Sequence, residues 1–561
     1  MNVYNYLSTF PIQFAHKKNG PMGSAASTDR RPSAEQQEQE SLAASTGSLT
    51  FLKSAFANLS DPQSQSIPLS SLYQSLSIPS VTLNLTLLSP HPTSNFSLLL
   101  PHLGAAAADF LFATVNDTTD WTAFLRGFNR CCARMSASSS LITLYRIFSD
   151  VCRRAGIACG LEFDLEDADD GKVRGTFGLN DMLMFLWLCW VMEQSSRLSM
   201  WGKGGELALP DLNHLVLSAF LAGSEVGGDE SVWGLDGLGE RKSVAVQKLN
   251  GWILATLPGL ASCFSQFLRE NIKSVAVSAK GSMKSNQSGC SGSSTNCNDS
   301  FLLTFGRAWA ISLTEKGTLG EELSALSFPG LLDHKLNNLL YRSSTHGKGL
   351  SRFWSIVEGY HGPLLFLFSG NLADSSDDIN STRWVVGVLT EHGFQNSDMF
   401  YGTSAHLYAI SPVFRVLSPT GKEKNFLYSH LHPTGRVYEA NPKPVGLAFG
   451  GTRGNERIFI DEDFSKVVIR HHAVDKTYQH GSLIPNQGYL PVEASLVEAE
   501  VWGFGGSSAK EQHDTFKKRE KLFTEQRRKV DLKTFGSWED SPEKMMMDMV
   551  SDPNRVRRED R

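Results

Sequence analysis

The segment Gly402-Thr-Ser404-Ala-His406 sets a serine two residues before a histidine, so on a strand the hydroxyl and the imidazole share a face. That spacing suits base-assisted nucleophilic chemistry, and equally two half-buried polar groups of an ordinary strand. His430-x-His432 and His471-His472 offer nitrogen ligands nearby, and residues 320–506 hold ten of the fifteen histidines. A closed zinc site takes about four ligands, often thiolates, yet the last of the eight cysteines is Cys297. A thiol mechanism beyond that point is excluded for want of a nucleophile. No G-x-S-x-G elbow, Walker A loop, H-E-x-x-H or dinucleotide fingerprint occurs. No metal and no cofactor are expected. Enzymatic activity stays open, with binding the preferred reading.

A different chemistry is written near the start. Met22-Gly23-Ser24-Ala25-Ala26-Ser27 matches the N-myristoylation pattern M-G-x-x-x-[ST]. Acylation of Gly23 requires initiation at Met22; the alternative is a Ser/Ala-rich head. No Asp or Glu precedes Asp29, which also suits a transit peptide over residues 1–28 for a plastid or mitochondrion, but no arginine precedes Arg30.

The elements around these residues follow from size and pattern. At 561 residues and 61.7 kDa the chain has room for two to four domains. A net charge of −5 and a pI of about 6.3 exclude a globally basic nucleic-acid binder. The longest apolar run, Met182 to Met192, falls short of the roughly 20 residues of a membrane span. Residues 1–40 read as a disordered head and 41–273 as a helical domain. Leu49, Leu52, Phe56 and Leu59 recur at helical spacing, Pro210–Asp211 starts another helix, and Pro258 breaks or kinks a third. Met182–Met192, apolar all round, reads as a central buried helix.

Two places resemble degenerate EF-hands. In Ser60–Ser71, with Ile67 at loop position 8, the glycine and the bidentate glutamate of a calcium loop are missing. In Asp164–Gly171, setting Gly171 at position 6 puts Phe177 at position 12, and a plain acidic loop is the competing reading. Residues 274–300 form a Ser/Gly/Asn linker.

Beyond it, Leu331–Leu340 and Ser351–Val357 read as helices. Short apolar runs then alternate with turns: Leu364–Phe368, Trp384–Leu389, His406–Ile410, Phe414–Leu417, Phe426–Leu431, Val445–Phe449, Arg457–Ile460, Lys466–Ile469 and Leu496–Trp502. That spacing indicates an antiparallel sandwich. In the last run Val497, Ala499 and Val501 share one face, and Glu498, Glu500 and Trp502 the other. Residues 507–561 are a charged tail in which Phe516–Val530 could form a basic helix; a solvated helix or a disordered tail is the competing reading.

Residues 319–506 resemble the TLDc domain of the oxidation-resistance proteins. The matching pieces are Leu331-Leu-Asp-His334, Gly362-Pro-Leu-Leu-Phe-Leu367, Val385-Val-Gly387-Val388, Phe400-Tyr-Gly402-Thr403, Ala405-His-Leu-Tyr408-Ala409-Ile410, Leu447-Ala-Phe-Gly450-Gly451, Ile458-Phe-Ile-Asp461-Glu-Asp-Phe464, Thr477-Tyr-Gln-His480 and Glu500-Val-Trp502-Gly503-Phe504. The whole-chain layout resembles the mTOR-associated and plant-type TLDc proteins. Where family members often carry a cysteine before the last strand, this chain has none, so redox roles tied to that residue do not transfer.

The resemblance implies an α+β multidomain protein: an N-terminal all-helical domain, then a TLDc-type antiparallel β-sandwich with flanking helices. Its motif residues here are Gly387, Gly402, Gly450, Gly451, Asp461, Glu500, Trp502 and Gly503. It also implies binding to the vacuolar proton ATPase and a part in oxidative-stress resistance. The expected location is cytoplasmic and partly peripheral to a membrane through the myristoyl group. Two rival readings stand beside it: a lipid-anchored signalling scaffold acting through the helical domain, and an enzyme of unknown reaction.

Overall fold

A computed structural model of the chain describes residues 33–79, 82–84, 90–113, 117–164, 172–200, 206–223, 233–238, 243–278, 301–329, 336–372, 383–432, 443–485 and 487–539, with Lys544, Met546, Met547 and Val550. Gly23, the other residues of the myristoylation pattern and the proposed transit peptide lie outside the described residues.

Met182–Met192 forms the axis of the helical part. Every one of its side chains is buried within the helix Leu179–Glu193, because a helix apolar on all sides is stable only when surrounded. Helices Ala137–Arg154, Asn213–Gly223 and Cys263–Ser278 pack in the same core. Pro258 ends the helix Val246–Thr256, and the chain bends by 105° before continuing to Val277. The stretch Ser94–Phe112 is long and apolar enough to cross a membrane by length and composition, a candidate that counting consecutive apolar residues does not reveal. Here its Phe96, Leu99, Leu103 and Phe112 are buried in the helical core.

Short ladders tie helices into pairs. Ile67–Pro68, which precedes the helix Leu69–Ser75, pairs antiparallel with Thr118–Thr119, which precedes Trp121–Cys132. Likewise Val173–Gly178 leads into Leu179–Glu193 and pairs with Ser243–Ala245, which leads into Val246–Thr256.

Three boundaries differ from the sequence reading. A helix capped by the Ser33 hydroxyl spans Ala34–Ser45, so helix begins before the boundary at residue 40 between head and helical domain and crosses it. The helix Cys263–Ser278 runs into the stretch read as linker, and residues 279–300 lie outside the described set. Leu339–Arg342, placed partly in a helix, is a strand: Leu339, Tyr341 and Arg342 pair with Trp502, Val501 and Glu500, and this long-range ladder overrides local propensity.

The sandwich is one eleven-stranded antiparallel sheet that curls on itself. Its strands in chain order are β1 (Leu339–Arg342), β2 (Leu364–Leu372), β3 (Arg383–Thr390), β4 (Ser397–Tyr401), β5 (Ala405–Ser411), β6 (Arg415–Leu417), β7 (Leu427–His430), β8 (Gly446–Thr452), β9 (Asn455–Asp461), β10 (Lys466–Ile469) and β11 (Val492–Gly503). The spatial order is β4-β7-β8-β9-β10-β11-β2-β3-β5-β6, with β1 also on β11.

Strand β11 makes the corner. Its first half pairs with β10 and its second half with β1, while β2 runs along most of it. The ladder to β2 slips between Leu496 and Glu498, a bulge at Val497. Ala494 and Leu496 face inward before the bulge, Ala499 and Val501 after it, and Val497 is 39% exposed. Val497 therefore does not share the face of Ala499 and Val501, as strict alternation from it predicts; the extra residue shifts the parity.

Phe366, Phe368, Val388, Phe449, Ile458 and Val467 fill the inside of the curl, with Phe353 and Trp354 of the helix Leu350–Val357. The outer face of the β2–β3–β5 layer is covered as well. Leu365, Leu367, Val385, Tyr408, Ile410 and Trp502 belong to the same continuous core as the helical part. Burial on both faces is why β2 and β3 read as unbroken apolar runs rather than alternating ones.

Candidate interaction site

Glu498, Glu500 and Trp502 stand on the face of β11 that meets the helical part. Glu500 is fully buried and its carboxylate is fully engaged. Oε1 accepts from the Leu302 N–H at 2.9 Å, and Oε2 accepts from the Leu303 N–H at 3.3 Å and from Trp502 Nε1 at 3.0 Å. Arg342 Nε lies 3.6 Å from Glu500 and 3.5 Å from Glu498, and its guanidinium covers the Phe301 ring at 4.6 Å. Glu498 also accepts from the Ser343 hydroxyl and, at 2.9 Å, from the Ser344 N–H.

Burial pushes the Glu500 carboxyl up, against the pull of its donors. Burial also works against an ionised Glu498, but Ser343, Ser344 and Arg342 outweigh it and hold that carboxyl below its usual range. Two carboxylates driven apart in this way suit acid–base chemistry. Here, however, Glu500 is spent on latching residues 301–303 to the sheet.

The glycines and Asp461 of the motif do not converge on that latch. Asp461 closes the β9–β10 turn by accepting from the N–H groups of Ser465 and Lys466 at 2.8 and 3.1 Å. Gly450 and Gly451 have φ of +69° and +79°, and a Cβ on Gly450 would stand 2.8 Å from the Tyr478 ring. A Cβ on Gly503 would meet the Tyr360 ring at 2.7 Å, and one on Gly387 would meet Leu367 and Ile410. Gly402 turns the chain between β4 and β5. These residues fix the shape of the sheet.

The other chemical candidates are also dispersed. His406 Nδ1 faces Glu315 Oε1 at 3.7 Å, and the Tyr408 hydroxyl donates to the same oxygen at 2.8 Å; the imidazole thus serves a contact between the sheet and the helical part rather than Ser404. The rings of His430 and His432 lie 4.9 Å apart, and His472 approaches Asp475 at 3.9 Å. Among the described residues no group of three His, Cys, Asp or Glu could hold a metal.

The six described cysteines are free and all sit in the helical part. Burial pushes the Cys131 thiol up to about 12. Cys159, only half-buried, is held below its ordinary value by a hydrogen bond from Cys152.

Two features carry no signal in the sequence. Arg457 and Asp475 form a fully buried ion pair at 2.6 Å, though Arg457 stands in an apolar strand run. The segment 412–414 inserts into the helical part. There the Phe414 N–H donates to the His214 carbonyl at 3.2 Å, and the Ser218 hydroxyl donates to the Phe414 carbonyl at 2.5 Å. Beside it opens a cleft of about 370 Å³ lined by Leu221, Trp252, Arg415 and His480.

His214 gives this junction a pH dependence. Burial, with Arg307 adding to it, lowers the imidazole to about 3. The folded protein thus holds His214 neutral, whereas the unfolded chain protonates it near about 6.5. Stability should fall as pH drops below about 6.5, by about 2 kcal/mol at pH 5 from this residue alone. Thermal unfolding of the wild type and of His214→Gln at pH 7 and 5 checks this: the variant should lose part of the acid sensitivity. An identical pH dependence in both would contradict it.

A sheet curled around Phe366, Phe449 and Ile458, cornered at the Glu500–Trp502 strand and joined to a helical domain, defines an α+β protein with a TLDc region. Residues 323–505 match the family model of the TLDc domain, and the chain is a TLDc domain-containing protein. No curated protein matches the chain. TLDc domains are protein-interaction modules.

Proposed function

We propose that this protein acts by contact: its TLDc domain docks on the vacuolar proton ATPase and thereby contributes to oxidative-stress resistance. The observation that carries the reading is the state of Glu500, whose oxygens are consumed by Leu302, Leu303 and Trp502. The most chemically suggestive strand of the domain is a structural latch. Peripheral attachment through a myristoyl group on Gly23, in a chain started at Met22, belongs to the same proposal.

The helical part acts in this account as an EF-hand-like scaffold without calcium. Its two ladders, at Ile67–Thr119 and Phe177–Val244, support that reading. If Phe177 holds the place that Ile67 holds, loop position 12 falls on Asp181 rather than Phe177, and positions 3 and 5 fall on Lys172 and Arg174. Cations at ligand positions oppose calcium. Asp181 instead accepts from the Gly178 N–H at 3.2 Å at the start of its helix.

Peroxide consumption by the full chain tests contact against catalysis. Uptake should stop once the thiols are oxidised, in the wild type and in Glu500→Gln alike. Sustained turnover that Glu500→Gln abolishes would establish the enzyme reading in its place.

A further inference from the structure

Among the described residues, one end of the sandwich is built from three connections: 418–426 between β6 and β7, the turn 452–455, and residues 470–485 and 487–491 between β10 and β11. They are bound to one another below the surface. The Thr420 N–H donates to the Thr477 carbonyl at 2.9 Å, the Glu423 N–H to the Lys476 carbonyl at 3.2 Å, and Asn425 Nδ2 to the Gly451 carbonyl at 2.9 Å. The Arg457–Asp475 pair lies buried beneath them.

On this base Val474, Tyr489 and Leu490 are 82%, 64% and 80% exposed. The Tyr489 ring stacks on His471 with centroids 4.8 Å apart, which brings Tyr489 and Leu490 to the stretch that carries Val474. Lys422, Lys424, Arg453 and Lys476 are exposed on the same end. Among the described residues the paired carboxylates there leave Lys422, Lys424 and Arg453 uncancelled, while Glu423 offsets Lys476. Asp475 is buried against Arg457, Glu456 is buried against Arg470 at 3.5 Å, and Glu423 is half-buried against Lys476 at 3.3 Å. Glu493, at the start of β11, is exposed and offsets one cation.

We propose that this end of the TLDc sheet is a docking surface for an anionic lipid bilayer. Val474, Tyr489 and Leu490 enter the boundary between headgroups and acyl chains, and Lys422, Lys424 and Arg453 lie against lipid phosphates. A protein partner of ordinary size needs a larger apolar centre than three side chains supply, and here Val474, Tyr489 and Leu490 share their end of the sheet with exposed cations. Tyrosine, apolar in body and polar at its tip, suits the interface. This attachment does not depend on Gly23, and it is the second signal that a single myristoyl chain requires for stable anchoring.

The test uses the full chain, produced without acylation, sedimented with phosphatidylcholine vesicles with and without phosphatidylserine. The wild type should sediment with the anionic vesicles only, and less so as salt rises. Tyr489→Ser with Leu490→Ser should weaken binding about tenfold or more, and Lys422→Glu with Lys424→Glu should remove the preference for phosphatidylserine. Unchanged thermal unfolding of both variants verifies that they fold. A wild type that ignores the vesicles, or variants that bind as the wild type does, would overturn the proposal. So would variants that lose only a protein partner, which would make this end a protein surface.

Discussion

Replacing Trp502 by alanine should cost roughly 3–5 kcal/mol of stability. The indole is fully buried where β11 meets the helical part, and it meets the Phe301 ring edge-on at 5.8 Å. Its Nε1 donates to Glu500 at 3.0 Å. Truncation therefore opens a cavity in the shared core and takes a donor from a buried carboxylate, and the two losses fall on the same latch. Urea unfolding of the wild type and Trp502→Ala measures the difference. A variant that stays as stable as the wild type but loses its partner would show that Trp502 works at a surface instead.

Asp475→Ala should be comparably damaging, again roughly 3–5 kcal/mol, because it leaves the buried Arg457 guanidinium without its counter-charge. Asp475 also accepts from the N–H groups of Thr477 and Tyr478, each at 2.9 Å, so the stretch under Tyr478 loses its anchor as well. Replacing both partners, Arg457→Met with Asp475→Asn, should recover much of the loss, since no charge is then stranded and the amide oxygen can still accept from Thr477 and Tyr478. Denaturant unfolding of the single and double variants checks both statements. A single-variant loss below about 1 kcal/mol is the value of an exposed pair and would contradict the burial argument.

Much of the fold was legible because burial leaves a pattern. Leu364–Phe368 and Trp384–Leu389 are apolar on both faces, and Met182–Met192 is apolar all round. Strand β4 was missed because Ser397–Tyr401 lies at the sheet edge, with no fully buried residue to reveal a period. Leu339–Arg342 looks helical in isolation and becomes a strand only by pairing with residues about 160 positions later.

For the site, the resemblance picked out Glu500 and Trp502, but their role depends on Leu302 and Leu303, 198 and 197 residues earlier. No local spacing encodes such a contact. The shift of face at Val497 was equally hidden, because a bulge adds one residue without altering the alternation on either side of it.

On the function proposed above, this protein works by binding. Titration of the purified full chain against purified vacuolar proton ATPase, followed by co-sedimentation, tests it most directly. A saturable complex is expected, retained when Gly23 is replaced by alanine, since the proposed contact is that of the TLDc domain. Failure of the folded chain to associate with the ATPase at any concentration would contradict it.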